Sequence, residues 1–202
     1  MALLALQPAL ERALDPRWVV IARGIAAAAI LAALWHCYSE LRDAKPVPAR
    51  EWLLAVAVGL VVFGVWINFD SGWAALGSGP GFVPLRDDGT LDLALAGLRL
   101  FGLVLVVPVM EELFWRSFLL RWIDRREFLA ADPKRASLVA FALSSALFAT
   151  EHSLWFAGLV AGAAYTWIYM RAGDLRLPIV SHATTNGTLG LWILATGNWG
   201  FW

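Results

Sequence analysis

From residue 91 to residue 110 the chain runs apolar for twenty positions, and only Asp92 and Arg99 interrupt it. That is the length an α-helix needs to cross a bilayer, roughly 20 residues at 1.5 Å each. Five further apolar segments recur, at about residues 18–38, 52–69, 136–152, 154–170 and 178–196. Trp52 and Trp66 lie near the two edges of the second, where aromatic side chains suit the membrane interface. The pattern predicts an all-α, polytopic membrane helix bundle of about six transmembrane helices. With 60% hydrophobic and only 16% charged residues, the composition is rare for a soluble domain.

The connections carry the breaks. Pro46 and Pro48 stop any helix in residues 39–51, and residues 70–90 are rich in glycine and proline. Trp73 and Phe82 are expected to hold that loop against the membrane surface. Pro108 should bend the third segment and free the carbonyl of Val104. Gly158 and Gly162 have the small-xxx-small spacing that lets helices approach closely. Residues 2–14 place Leu3, Leu6, Leu10 and Leu14 near one face, as a short interfacial helix would, and lack the basic start of a cleavable signal. The organisation expected is a single membrane domain, 1–202, with N-terminal spans and loop over 1–90 and a catalytic helical core over 91–196.

Six spans put both termini on one side. Arg42, Lys45, Arg50, Arg121, Arg125, Arg126, Lys134, Arg135, Arg171 and Arg176 fall on one set of connections, and Arg12, Arg17 and Arg86 on the other. The positive-inside rule then places the termini outside the cytoplasm. Zero net charge gives no electrostatic basis for binding nucleic acid. A single cysteine, Cys37, excludes an intrachain disulfide and reads as packing within its apolar run.

Ionisable residues inside such segments are costly and mark function. Glu111 and Glu112 end the 91–110 run, and Arg116 follows four residues after Glu112. At roughly 100° per residue, Glu112 and Arg116 fall within roughly 40° and can pair, whereas Glu111 points roughly 140° from Arg116 and is the freer carboxylate. His152 closes the fourth segment, and His182 and Asn186 share a face of the sixth. His36 reads as an interfacial side chain. A carboxylate and an imidazole facing a cavity can activate water, and an imidazole and an amide N–H can hold a developing oxyanion. That combination suits hydrolysis of a carbonyl compound such as a peptide bond.

Glu111-Glu112-x-x-x-Arg116, Phe148-x-x-x-His152 and His182-x-x-x-Asn186, with the glycine-rich fifth segment and its Tyr165, resemble the motifs of the CPBP intramembrane proteases. These are the CAAX proteases and bacteriocin-processing enzymes, related to the Ras-converting CAAX endopeptidase. The resemblance covers about residues 95–196. The small size and aromatic tail also resemble the CAAX-protease-related proteins of exosortase systems. The resemblance implies an intramembrane endopeptidase of the bacterial inner membrane, with no covalent intermediate and no cofactor. Its substrate would be a membrane-associated protein or peptide. By motif position Glu111 would be the general base, with His152 helping to position water. His182 and Asn186 would stabilise the oxyanion, and Glu112 would support the site through Arg116. Glu151, beside His152, departs from the small or apolar residue expected there.

Three other readings remain. A zinc-dependent protease could use Glu111 or Glu112 with His152 and His182, although the chain lacks the H-E-x-x-H pairing that preorganises zinc. A non-catalytic scaffold or immunity protein could retain the fold. A transporter would show internal repetition, and none is visible.

Overall fold

In a computed structural model the described residues are 15–77 and 81–202, and they form an all-α membrane helix bundle. Six principal helices follow in order: α1 (Pro16–Ala33), α2 (Ala49–Asn68), α3 (Leu93–Asp124), α4 (Leu138–Thr150), α5 (Trp155–Ala172) and α6 (Arg176–Thr196). Each corresponds to one of the apolar segments. By length and composition α1, α2 and α3 are long and apolar enough to cross a membrane, and α4 is a shorter apolar helix. The interfacial helix expected over residues 2–14 lies outside the described residues.

Local chemistry sets the helix ends. The Asp92 carboxylate accepts from the amides of Ala94 and Leu95 at 3.0 and 3.1 Å and starts α3. Ser137 Oγ accepts from Ala140 at 3.0 Å and starts α4. Gly173, at φ 71°, ends α5 in the left-handed conformation a side chain would disfavour. Pro178 is the third residue of α6, where its missing N–H costs no helical bond.

The bundle is apolar outside, and its apolar core encloses a set of polar side chains. Leu53, Val61, Leu138 and Val139 point outward, with Leu138 83% exposed. Glu112, Arg116, Ser144, Ser145, Thr166, Ser181, His182 and Thr185 are buried. A surface of leucine and valine suits lipid, where no hydrophobic force draws helices together and close packing and hydrogen bonds must do so. Glycine makes that packing possible. α6 lies along α2, where a Cβ on Gly59 would strike the carbonyl of Ser181 and come within 2.7 Å of Thr184 Cβ. α5 lies along α4 as the glycine spacing predicts, and a Cβ on Gly162 would stand 2.9 Å from the Ser145 carbonyl.

Four local expectations are corrected. Cys37 is exposed, because α1 stops at Ala33 and the chain turns away through residues 35–42. Phe82 is buried against Ile21, Leu95 and Trp202 instead of lying on the membrane surface, although Trp73 stays exposed. Arg121 is not a loop cation. α3 continues to Asp124, and Arg121 turns inward to Glu40 at 2.7 Å and to the Ser117 carbonyl at 2.5 Å. Glu40 also accepts from Ser117 Oγ and from the Tyr169 hydroxyl at 2.6 Å, which fastens the α1–α2 connection to the core.

The fourth correction concerns Pro108. The turn over Gly102–Val106 is widened, with Val107 N–H donating to the Gly102 carbonyl five residues back. In that register Pro108 stands opposite Leu103, so the Leu103 carbonyl has no helical donor, where an unwidened helix would have freed that of Val104. Asn186 Nδ2 donates to it at 2.9 Å.

Candidate active site

Six side chains singled out from the sequence come from three places: Glu111, Glu112 and Arg116 on α3, His152 just beyond α4, and His182 and Asn186 on α6. Glu111, His152, His182 and Asn186 line one cavity of about 450 Å³ with Phe148 and Tyr165. Glu112 and Arg116 lie behind them, 0% and 1% exposed. The length of α3 explains why Glu111 and His152 can meet. Glu111 lies 13 residues before Asp124, and His152 lies 14 residues after Leu138, so the two stand at a similar remove from the α3–α4 connection. Asp124 holds the start of α4 level with the end of α3, accepting from the Ser137 amide at 2.7 Å and its hydroxyl at 2.5 Å.

The two adjacent carboxylates have different surroundings. Glu112 Oε1 accepts from Arg116 Nη1 at 3.1 Å and from His182 Nδ1 at 2.9 Å. Arg116 also donates to the Gly162 carbonyl at 3.2 Å, and its guanidinium lies 4.5 Å from the Phe148 ring centre. Glu112 therefore ties α3 to α6 and, through Arg116, to α5. Glu111 makes no such ties. Its Oε2 is buried without a hydrogen-bond partner, and the side chain faces the cavity.

The histidines are fixed in orientation. His152 Nδ1 lies 3.0 Å from the Phe148 carbonyl, which can only accept, so the proton is on Nδ1 and a neutral ring offers its lone pair at Nε2. The ring packs between Phe148 and Trp66, at 4.8 and 5.3 Å. His182 stacks on Tyr165 at 5.0 Å and directs Nδ1–H to Glu112, which leaves Nε2 for other contacts. Tyr165 donates to Thr185 Oγ1 at 2.7 Å, and Thr185 donates to the Gly59 carbonyl at 2.8 Å, so the stack is held from α5, α6 and α2 together.

Asn186 reaches the cavity but has one Nδ2 hydrogen engaged by Leu103, so a single amide hydrogen is left for another acceptor. Glu151 lines the cavity while remaining exposed, which places it at the rim. His36 is exposed and lies 3.2 Å from the Ala33 carbonyl, away from these groups. Among the described residues no group of three or more His, Cys, Asp or Glu side chains is gathered as a metal-binding cluster. A larger groove of about 750 Å³ lies elsewhere, lined by Glu40, Lys45, Glu51, Lys134, Arg171 and Asp174, and holds none of the site residues.

Sequence reasoning passed over Thr185, Trp66, Arg23 and Arg99, which support or line the same cavity. Thr185 was within reach, being three residues from His182 on the same helical face. Trp66 was not, because an aromatic residue at a span edge has a sufficient interfacial explanation.

Residues 94–188 match the family model described as Rce1-like, type II CAAX prenyl endopeptidase. No curated protein and no solved structure matches the chain. The matched residues include α3 from its first turn to its end, all of α4 and α5, and α6 beyond Asn186. Over residues 94–188, just under half of the chain, the protein is thus similar to the Rce1-like type II CAAX prenyl endopeptidases, the kind of intramembrane protease that its three motifs resemble.

Proposed function

We propose that the chain is a multi-pass endopeptidase of the bacterial inner membrane. It cuts a peptide bond of a membrane-associated protein or peptide with a water activated by Glu111 and His152. The observation that carries this reading is the cavity itself: a carboxylate with a buried, partnerless oxygen, two oriented imidazoles and an amide face one space inside an apolar bundle. Glu111 accepts the proton of water while His152, whose Nε2 is open, orients it. The hydroxide adds to the carbonyl carbon, and charge develops on the carbonyl oxygen. Asn186 donates its remaining N–H to that oxygen, and His182 donates from Nε2 when its ring carries both protons. The proton on Glu111 then passes to the leaving amine. A prenylated CAAX tail is not normally available in a bacterium, so the substrate class is kept at a membrane-associated peptide.

The test is cleavage by the purified full-length chain in lipid nanodiscs, followed by mass spectrometry. Peptide hydrolysis is expected to survive a strong chelator unchanged. Loss of activity with chelator and recovery with zinc would replace the water-only mechanism by the metal-dependent one. No turnover of any peptide would leave the scaffold reading in its place.

Asn186→Ala is expected to lower kcat about a hundred- to a thousandfold with a much smaller change in KM, as for loss of one oxyanion donor. The same substitution strips the Leu103 carbonyl of its donor, so thermal stability should fall as well. A drop in stability without a drop in kcat would make Asn186 a packing residue.

Orientation follows from the basic residues. Reporter fusions at Ala131 and at Trp202 are expected to report opposite sides of the membrane, with Ala131 cytoplasmic. A periplasmic signal at Ala131 would overturn the six-span topology.

A further inference from the structure

Arg99 is a cation of the cavity that the proposed chemistry leaves unused. It lies on α3, 12 residues before Glu111, with its guanidinium 5.4 Å from the Phe82 ring centre. Its Nε is buried without a hydrogen-bond partner, and no carboxylate among the described residues forms an ion pair with it. Glu111 and Glu151 line the same cavity, yet neither is paired with Arg99. Arg23 of α1 lines the cavity too, and its positive charge acts against that of Arg99.

A charge at membrane depth is normally paired, or it marks the path of a substrate or ion. The aromatic face of Phe82 offsets only part of the cost. The side of a guanidinium formed by Nε and one Nη matches the two oxygens of a carboxylate. At Arg99 that side includes the nitrogen without a partner.

We infer that Arg99 anchors a carboxylate of the peptide substrate, so that the cavity selects peptides with a negative charge at a fixed distance from the cut bond. The inference rests on the endopeptidase reading. Twelve residues of helix separate Arg99 from Glu111 by about 18 Å at most. An extended peptide covers that distance in about five residues at roughly 3.3 Å each. The arginine side chain shortens the gap, which places the carboxylate about three to five residues from the scissile bond. A free C-terminus and an aspartate or glutamate side chain present the same group, and the subsite accepts the chemistry they share.

The experiment uses the full chain in nanodiscs and apolar decapeptides in three forms: free C-terminus, amidated C-terminus, and amidated with one internal glutamate. Carboxylate-bearing peptides are expected to show kcat/KM at least tenfold above the neutral amides, with the difference in KM. Arg99→Gln should erase that preference, and Arg99→Lys should restore part of it. The two carboxylate-bearing forms report which source the subsite prefers. Equal KM for charged and neutral peptides, or a preference that survives Arg99→Gln, overturns the inference and leaves the endopeptidase reading standing. If the wild type cleaves nothing, that reading falls, and binding decides the subsite. Fluorescence anisotropy on the Glu111→Gln chain should then give at least tenfold tighter binding of acid than amide peptides, lost in Glu111→Gln/Arg99→Gln. Equal binding overturns it.

Discussion

Glu111→Gln is expected to lower peptide cleavage by about a hundred- to ten-thousandfold, the usual contribution of a positioned general base, while thermal stability in nanodiscs stays near that of the wild type. The substitution keeps size and hydrogen-bonding capacity and removes only the ability to take a proton. It should be quiet structurally because Glu111 Oε2 has no protein partner to lose and Glu111 forms no ion pair among the described residues. A neutral amide in this cavity is, if anything, less costly to keep buried than a carboxylate. The measurement is kcat on a cleaved peptide beside a melting curve on the same preparation. Near wild-type cleavage by Glu111→Gln would remove Glu111 from the mechanism and leave the cavity without its base.

Glu112→Gln should behave differently, and the contrast between neighbours is the sharper test. Glu112 is fully buried and receives both Arg116 and His182 on one oxygen. Removing its charge leaves Arg116, 1% exposed, without a carboxylate. Breaking a buried ion pair from one side typically costs about 3–5 kcal/mol, because the remaining charge is stranded. The carbonyl of Gly162 and the Phe148 ring recover part of this for Arg116. Equilibrium unfolding should show a loss of that order, with activity falling alongside because His182 loses its charged anchor. If Glu112→Gln keeps its stability and loses only kcat, the two glutamates have exchanged roles. Arg116→Met in the same background should recover stability, since it removes the stranded charge while an apolar side chain of similar reach fills its place.

Each of the six principal helices was legible as an apolar segment between proline, glycine and charged connections, because bilayer thickness fixes helix length and those residues fix where helices end. The Glu112–Arg116 pair was legible for a similar local reason, since residues four apart meet on any helix. The end of α3 was not. Arg121 reads as the first cation of a polar loop, and only its contacts with Glu40 and Ser117, 81 and 4 residues away, turn it inward and carry the helix on to Asp124.

What the sequence determined by itself is therefore an apolar helical chain, its punctuation, and the ionisable residues it spends inside lipid-length segments. What only the tertiary structure decided is which faces turn inward. In water a buried helix face announces itself as an apolar stripe, but here Leu138 faces outward and Phe148 inward on the same helix, and both are apolar. The rotation of each helix is set by where backbones can approach, at Gly59 against Ser181 and at Gly162 against Ser145, and by buried donors finding acceptors. Those contacts bring His182 to Glu112 across 70 residues and Asn186 to Leu103 across 83. They add His182 to the Glu112–Arg116 pair that helix spacing already gave, and they turn the freer Glu111 towards a cavity whose other walls no local spacing in the sequence could supply.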